Sequence, residues 1–188
     1  MHPPRRFKKA FMAQLLVSLR AAGQASKSMG LRERRDAVRL SSDVAMALAS
    51  SSSSPRTTAA WARGLVVRHA AERRNEALMR HIMGGASYEV AAAAVAGTRS
   101  RKAARCRRIV RRSRRVLMRT APASGGGAMA ARRMVKARMR VLRTLVPGAD
   151  GLRGFSLLSE TLDYVACLKT QVELMQCLCK GSRSSRLG

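Results

Sequence analysis

"RRMVKARMRVLRTLVPGADGLRGFSLLSETLDYVACLKTQVELMQ", residues 132–176, contains two apolar stripes joined by one loop. In its first half Val135, Met139, Leu142 and Leu145 recur at steps of four, three and three, with Val146 beside them. That spacing marks one face of an α-helix. "VPGADGLRG" then sets Pro147, Gly148, Gly151 and Gly154 within eight residues, which is loop chemistry. In the second half Leu158, Leu162, Val165, Leu168, Val172, Met175 and Cys179 repeat at an average near 3.5 residues, the period of helices that pack along a shared seam. Glu160, Asp163 and Glu173 stand against Lys169 there, so this helix suits packing better than polyanion binding. Residues 130–180 are too few to hold a core unaided. The expectation is half of a four-helix bundle, completed by a partner and stable in proportion to its concentration.

The rest of the chain is very different in charge. The 188 residues carry 38 Lys and Arg against 10 Asp and Glu, a formal net charge of +28. Such a chain repels itself and attracts polyanions. Aromatics are 3% of the residues, too few for a platform that stacks single-stranded bases. Ala, Arg, Met and Leu outnumber strand formers, which indicates an all-α class. Cys106, Cys167, Cys177 and Cys179 form no CxxC and have no His nearby, so neither zinc nor another metal is expected. No P-loop, GxSxG or HExxH occurs, and His2, His69 and His81 sit beside arginines or near the terminus. An enzyme, a cofactor and a small-molecule substrate are therefore not expected. No apolar run is long enough to span a bilayer, and no membrane partner is expected.

Upstream, the pattern gives a helix from about Arg6 to Ala22, with Phe7, Phe11, Leu15 and Leu19 on one face, and a second from about Leu31 to Ala49. Residues 1–32 contain no acid, a composition that also fits an organellar transit peptide. Residues 1–50 are thus basic helices, partly flexible. Ser50–Ser54 before Pro55 reads as a linker, with Ser54-Pro55 the dipeptide that phosphorylation would favour. A Trp61-containing helix follows over 57–83 and stops at Gly84-Gly85, with Trp61 expected as a core anchor. Residues 98–120 hold eleven basic residues and no acid. Arg99, Arg101, Lys102, Arg105, Arg107, Arg108, Arg111, Arg112, Arg114 and Arg115 in this run read as a nuclear localisation patch, a nonspecific phosphate contact or a solvated face. "APASGGGAM", residues 121–129, is a flexible linker by composition.

The 132–176 stretch resembles the helix-loop-helix region of plant transcription regulators, through "LVPG" at 145–148 and "SLLSETLDYVACLKTQVELM" at 156–175. "AAWARGLVVRHA", residues 59–70, is similar to the N-terminal "W-[SA]-R-x-[LI]" helix of the atypical members that do not bind E-boxes. The resemblance implies antagonism of helix-loop-helix activators in brassinosteroid-type growth control. Counting back from Pro147, the family's base-reading Glu falls at Ala128 and its His or Asn at Ser124. Two of its phosphate-contacting arginines fall at Met129 and Ala131, and one is kept at Arg132. Ala128 has no side-chain hydrogen-bonding group, and base edges cannot be discriminated without one. Gly125, Gly126 and Gly127 each disfavour helix by about 1 kcal/mol relative to Ala, so the reading helix is expected to be broken here.

The sequence thus points to an all-α helix-loop-helix dimerisation unit with added N-terminal helices and disordered basic linkers. Val135, Met139, Leu142, Leu145, Val146, Leu158, Leu162, Val165, Leu168, Val172 and Met175 are its expected pairing residues. Arg132, Arg133, Lys136, Arg138, Arg140 and Arg153 are candidate phosphate contacts, which position a protein on nucleic acid without reading it. The expected partner is another helix-loop-helix protein, with homodimers open, and the expected compartment is the nucleus. The competing reading is a basic nucleic-acid binder, either a weak DNA-binding factor within a heterodimer or an organellar or ribosomal RNA binder.

Overall fold

A computed structural model of the chain describes residues 5–25, 29–53, 59–97 and 126–184. The described residues are helical, with no strand among them. The helices are α1 (Arg5–Ala25), α2 (Leu31–Ser53), α3 (Ala60–Ala70), α4 (Glu76–Met83), α5 (85–97), α6 (Gly126–Leu145) and α7 (Gly154–Ser184). The Arg-rich segment 98–120 lies outside the described residues.

The four-residue step of α1 produces the expected buried face. Phe7, Phe11 and Leu15 are enclosed, and the two phenyl rings stack at 5.9 Å. They meet Ala45, Met46 and Ala49 of α2, Trp61 and Leu65 of α3, and Val146, Ala149, Leu157 and Cys167 from the C-terminal third. A second core joins Ala21 and Ala22 of α1, Ala37, Leu40 and Val44 of α2, Leu78, Met79 and Ile82 of α4, and Tyr88 of α5. Small residues let α1 and α2 approach closely. At their crossing the Ser41 hydroxyl donates to the Ser18 carbonyl at 3.2 Å.

Three local departures from the sequence pattern have physical causes. The serine run does not end α2 at Ala49. Ser51 and Ser52 donate their hydroxyls back to the carbonyls of Ala47 and Ala49 (3.1 and 3.0 Å), and the helix continues to Ser53, a known alternative for Ser side chains. The expected 57–83 helix is two helices. Glu72 turns extended between them, and the Asn75 amide donates to the His69 carbonyl at 3.3 Å. That bend lets Leu65 serve one core and Leu78, Met79 and Ile82 the other. Gly84, at φ +80°, ends α4, yet the chain resumes as α5, which the sequence reading left unassigned. Arg80 joins the two by pairing with Glu76 (3.2 Å) and Glu89 (2.6 Å) and lying over the Tyr88 ring.

The helix-loop-helix elements are also longer than expected. Glycines 126 and 127 lie inside α6, so the helix includes Ala128 and Met129 rather than breaking before them. α7 runs to Ser184.

Candidate interaction surface

α7 is apolar on two opposite sides. At about 100° per residue, Leu157, Tyr164, Cys167, Gln171, Leu174 and Leu178 fall on one side. Phe155, Leu158, Leu162, Val165 and Val172 fall on the other. The first set is buried or half-buried against the N-terminal helices. The second is open, with Phe155 85%, Leu162 58% and Val165 54% exposed.

Polar contacts determine how the covered side docks. Trp61 is fully buried at the start of α3. Its backbone N–H donates to Glu160 Oε1 at 2.8 Å, and its indole Nε1 donates to Asp163 Oδ2 at 2.7 Å. The first four N–H groups of a helix lack partners within that helix, and Glu160 satisfies one of them from α7. Carboxylate acceptors strengthen such bonds. The Trp61 and Tyr164 rings pack at 5.2 Å.

Two turns further along, the Gln171 amide donates to Ser42 Oγ at 2.7 Å and Asp43 Oδ1 at 3.1 Å, both on α2. His69 Nε2 of α3 donates to Asp43 Oδ2 at 3.0 Å. One buried carboxylate therefore ties three helices together. Between these polar groups the Cys167 thiol is pushed up to about 12, first by burial and then by Asp163. Burial, reinforced by Asp43, also raises the Tyr164 hydroxyl.

The loop docks through backbone. Gly148 adopts φ +70°, where L side chains are strained, and lies against Gly64 of α3. A Cβ on Gly64 would strike Gly148 and come within 2.6 Å of the Pro147 carbonyl carbon, and one on Gly148 would strike the Ala60 carbonyl oxygen. The "WARG" and "VPG" stretches, separate in the sequence reading, are thus one contact. Arg143 closes the loop by donating to the Leu152 carbonyl at 3.0 Å.

The expected pairing residues divide in three. Val146 is buried in the chain's own core. Met139, Leu142, Leu168 and Met175 are half-buried against it. Val135, Leu145, Leu158, Leu162, Val165 and Val172 are exposed. Met134, Val141 and Phe155 are exposed apolar residues that the sequence reading passed over. Phe155 stands three residues before Leu158, a spacing that could have revealed it. Glu160, Asp163 and Gln171 gave no such signal, because their partners are about a hundred positions away. The candidate phosphate contacts Arg132, Arg133, Lys136, Arg138, Arg140 and Arg153 are exposed, those on α6 along a helix with no acid. The localisation candidates, Arg99 to Arg115, lie outside the described residues.

The family described as the IBH1-like, N-terminal domain matches residues 4–73, which span α1 to α3. An Arabidopsis thaliana protein named Transcription factor IBH1-like 1 is 34% identical over 179 residues, covering 94% of this chain and 93% of that one. Transcription factor IBH1 of Oryza sativa subsp. japonica is 54% identical over 39 residues, 21% of this chain and 19% of its own. No solved structure matches. The α1–α3 match and the near full-length similarity together show that the chain belongs to the IBH1-like family of plant transcription factors, atypical helix-loop-helix regulators whose work is control of transcription.

Proposed function

We propose that the protein regulates transcription in the nucleus by pairing, through the open side of α7 and the adjoining face of α6, with a helix-loop-helix protein that reads DNA. The pair would repress that partner's activity, in keeping with the brassinosteroid-type growth control the resemblance implies. The observation that carries this reading is the open stripe of Leu158, Leu162, Val165 and Val172, left apolar on a helix whose opposite side is already covered. A complementary two-helix seam fits such a stripe. A partner paired this way has one reading helix for a target that needs two, since Ala128 has no group to read a base. Each lost contact lowers discrimination by about 1–3 kcal/mol.

The test is a mobility-shift titration against a DNA-binding relative on its own site. The relative's band should disappear as this chain is added, and the Leu162→Asp variant should leave it in place. Persistence of the band at excess, or a specific band from this chain alone, rejects the reading.

A second reading draws on the exposed cations of α6, which favour weak phosphate contact within a heterodimer. It requires a shifted complex that survives the pairing and weakens steeply with salt.

A further inference from the structure

A helix-loop-helix half has too small a core to stand alone, yet here its core is supplied by its own chain. Val146, Ala149 and Leu157 are enclosed among Phe11, Trp61 and Leu65. The docking is specific as well as apolar. Trp61 engages Glu160 and Asp163 near the start of α7, and Gln171 engages Ser42 and Asp43 farther along. Gly64 and Gly148 bring the loop against α3 with no room for a side chain. Contacts at both ends of a stretch of about three turns fix the direction of the helix axis, not merely its proximity. They also fix its rotation, because Glu160, Asp163 and Gln171 must meet their partners on α2 and α3 together. The open stripe is then held outward by geometry.

We infer that the N-terminal helices are an intramolecular clamp that folds the helix-loop-helix on a single chain, so that its pairing surface is presented ready-made to a helix-loop-helix partner without prior self-pairing. The identity of that partner rests on the function proposed above; the clamp does not. A binding-competent state that is already populated avoids the loss of apparent affinity that folding on contact imposes.

The experiment is amide hydrogen exchange on the full chain, at a concentration where sedimentation velocity shows one copy. In the unaltered protein α7 should exchange slowly without any partner. The Asp163→Ala/Gln171→Ala double variant and, independently, Gly64→Leu should speed α7 exchange by about tenfold or more while α1 and α2 stay protected, because local opening is governed by the contacts removed. Adding a DNA-binding helix-loop-helix relative should restore protection in the double variant. If α7 of the unaltered single chain exchanges like an unstructured peptide, or if both variants leave it unchanged, the clamp is refuted. If α7 is protected alone but no relative binds, the clamp stands and the proposed pairing falls.

Discussion

The two sides of α7 are built from similar aliphatic residues and meet opposite fates. The covered side has polar groups at set intervals, Glu160, Asp163 and Gln171, each matched by a group on α2 or α3. The open side sets Leu158, Leu162, Val165 and Val172 around Lys169, all exposed. A buried donor or acceptor without its partner costs about 1–3 kcal/mol, so the covered side accepts one docking geometry and rejects others. An apolar stripe imposes no such condition, and volume-conserving changes in its complement are tolerated. The lesson is that a helix can be locked to its own chain by hydrogen bonds while a plain apolar seam is kept for another.

The largest effect should come from removing the anchor of the covered side. Trp61→Ala empties a fully buried site and takes away the indole donor to Asp163, and should destabilise the chain by about 3–5 kcal/mol in denaturant titration. The contrasting change on the open side is Leu162→Asp, alone or with Val165→Asp. Folding stability of the single chain should move by no more than about 0.5 kcal/mol, while partner affinity in a pull-down or calorimetric titration falls by about 2–4 kcal/mol. Should Leu162→Asp unfold the chain instead, the two sides are not separate in the way described. Gly148→Ala forces a side chain into the left-handed region and toward Ala60, and should lower stability by about 1–2 kcal/mol or more.

Asp163→Asn keeps an acceptor for the indole but removes the charge, and about 1 kcal/mol of loss is expected. The smallest effect on stability concerns the cysteines. Cys177 and Cys179 are exposed and Cys167 is buried, so alkylation at neutral pH should label the first two and spare the third until the chain is unfolded. The Cys167 thiol is raised to about 12 from an ordinary 9.0. The folded state therefore holds that proton more tightly than the unfolded one. This contribution to stability is present below pH 9.0 and declines as pH rises toward about 12, which alkaline unfolding with a Cys167→Ala control would measure.

Much of this was legible in the residues. Phe7, Phe11 and Leu15 announced the buried face of α1 by their spacing alone, and Trp61 its role as an anchor. Leu158, Leu162, Val165 and Val172 of the open stripe fall on the heptad-like period, but Leu168 and Met175 on the same period are half-buried against the chain's own core. The covered side was not legible, because Leu157, Tyr164, Cys167, Leu174 and Leu178 also recur at three- and four-residue steps. A helix apolar on two sides gives no single direction for burial. The α5 helix was hidden by a glycine pair that usually ends a helix and here only redirects it. The serine run has the composition of a linker, and the back-bonding of Ser51 and Ser52 that keeps it helical depends on a helix already stabilised by packing.

What the sequence by itself determined was the all-α class, the two helices flanking the "VPG" loop, and the lack of a side-chain hydrogen-bonding group at Ala128. These follow from propensity, local period and side-chain chemistry, which act within a few residues. Only the tertiary structure decided which side of α7 is covered and where the charges of Glu160 and Asp163 go. Those choices depend on hydrogen bonds to Trp61, 99 and 102 positions away, and no local pattern encodes a bond across that distance.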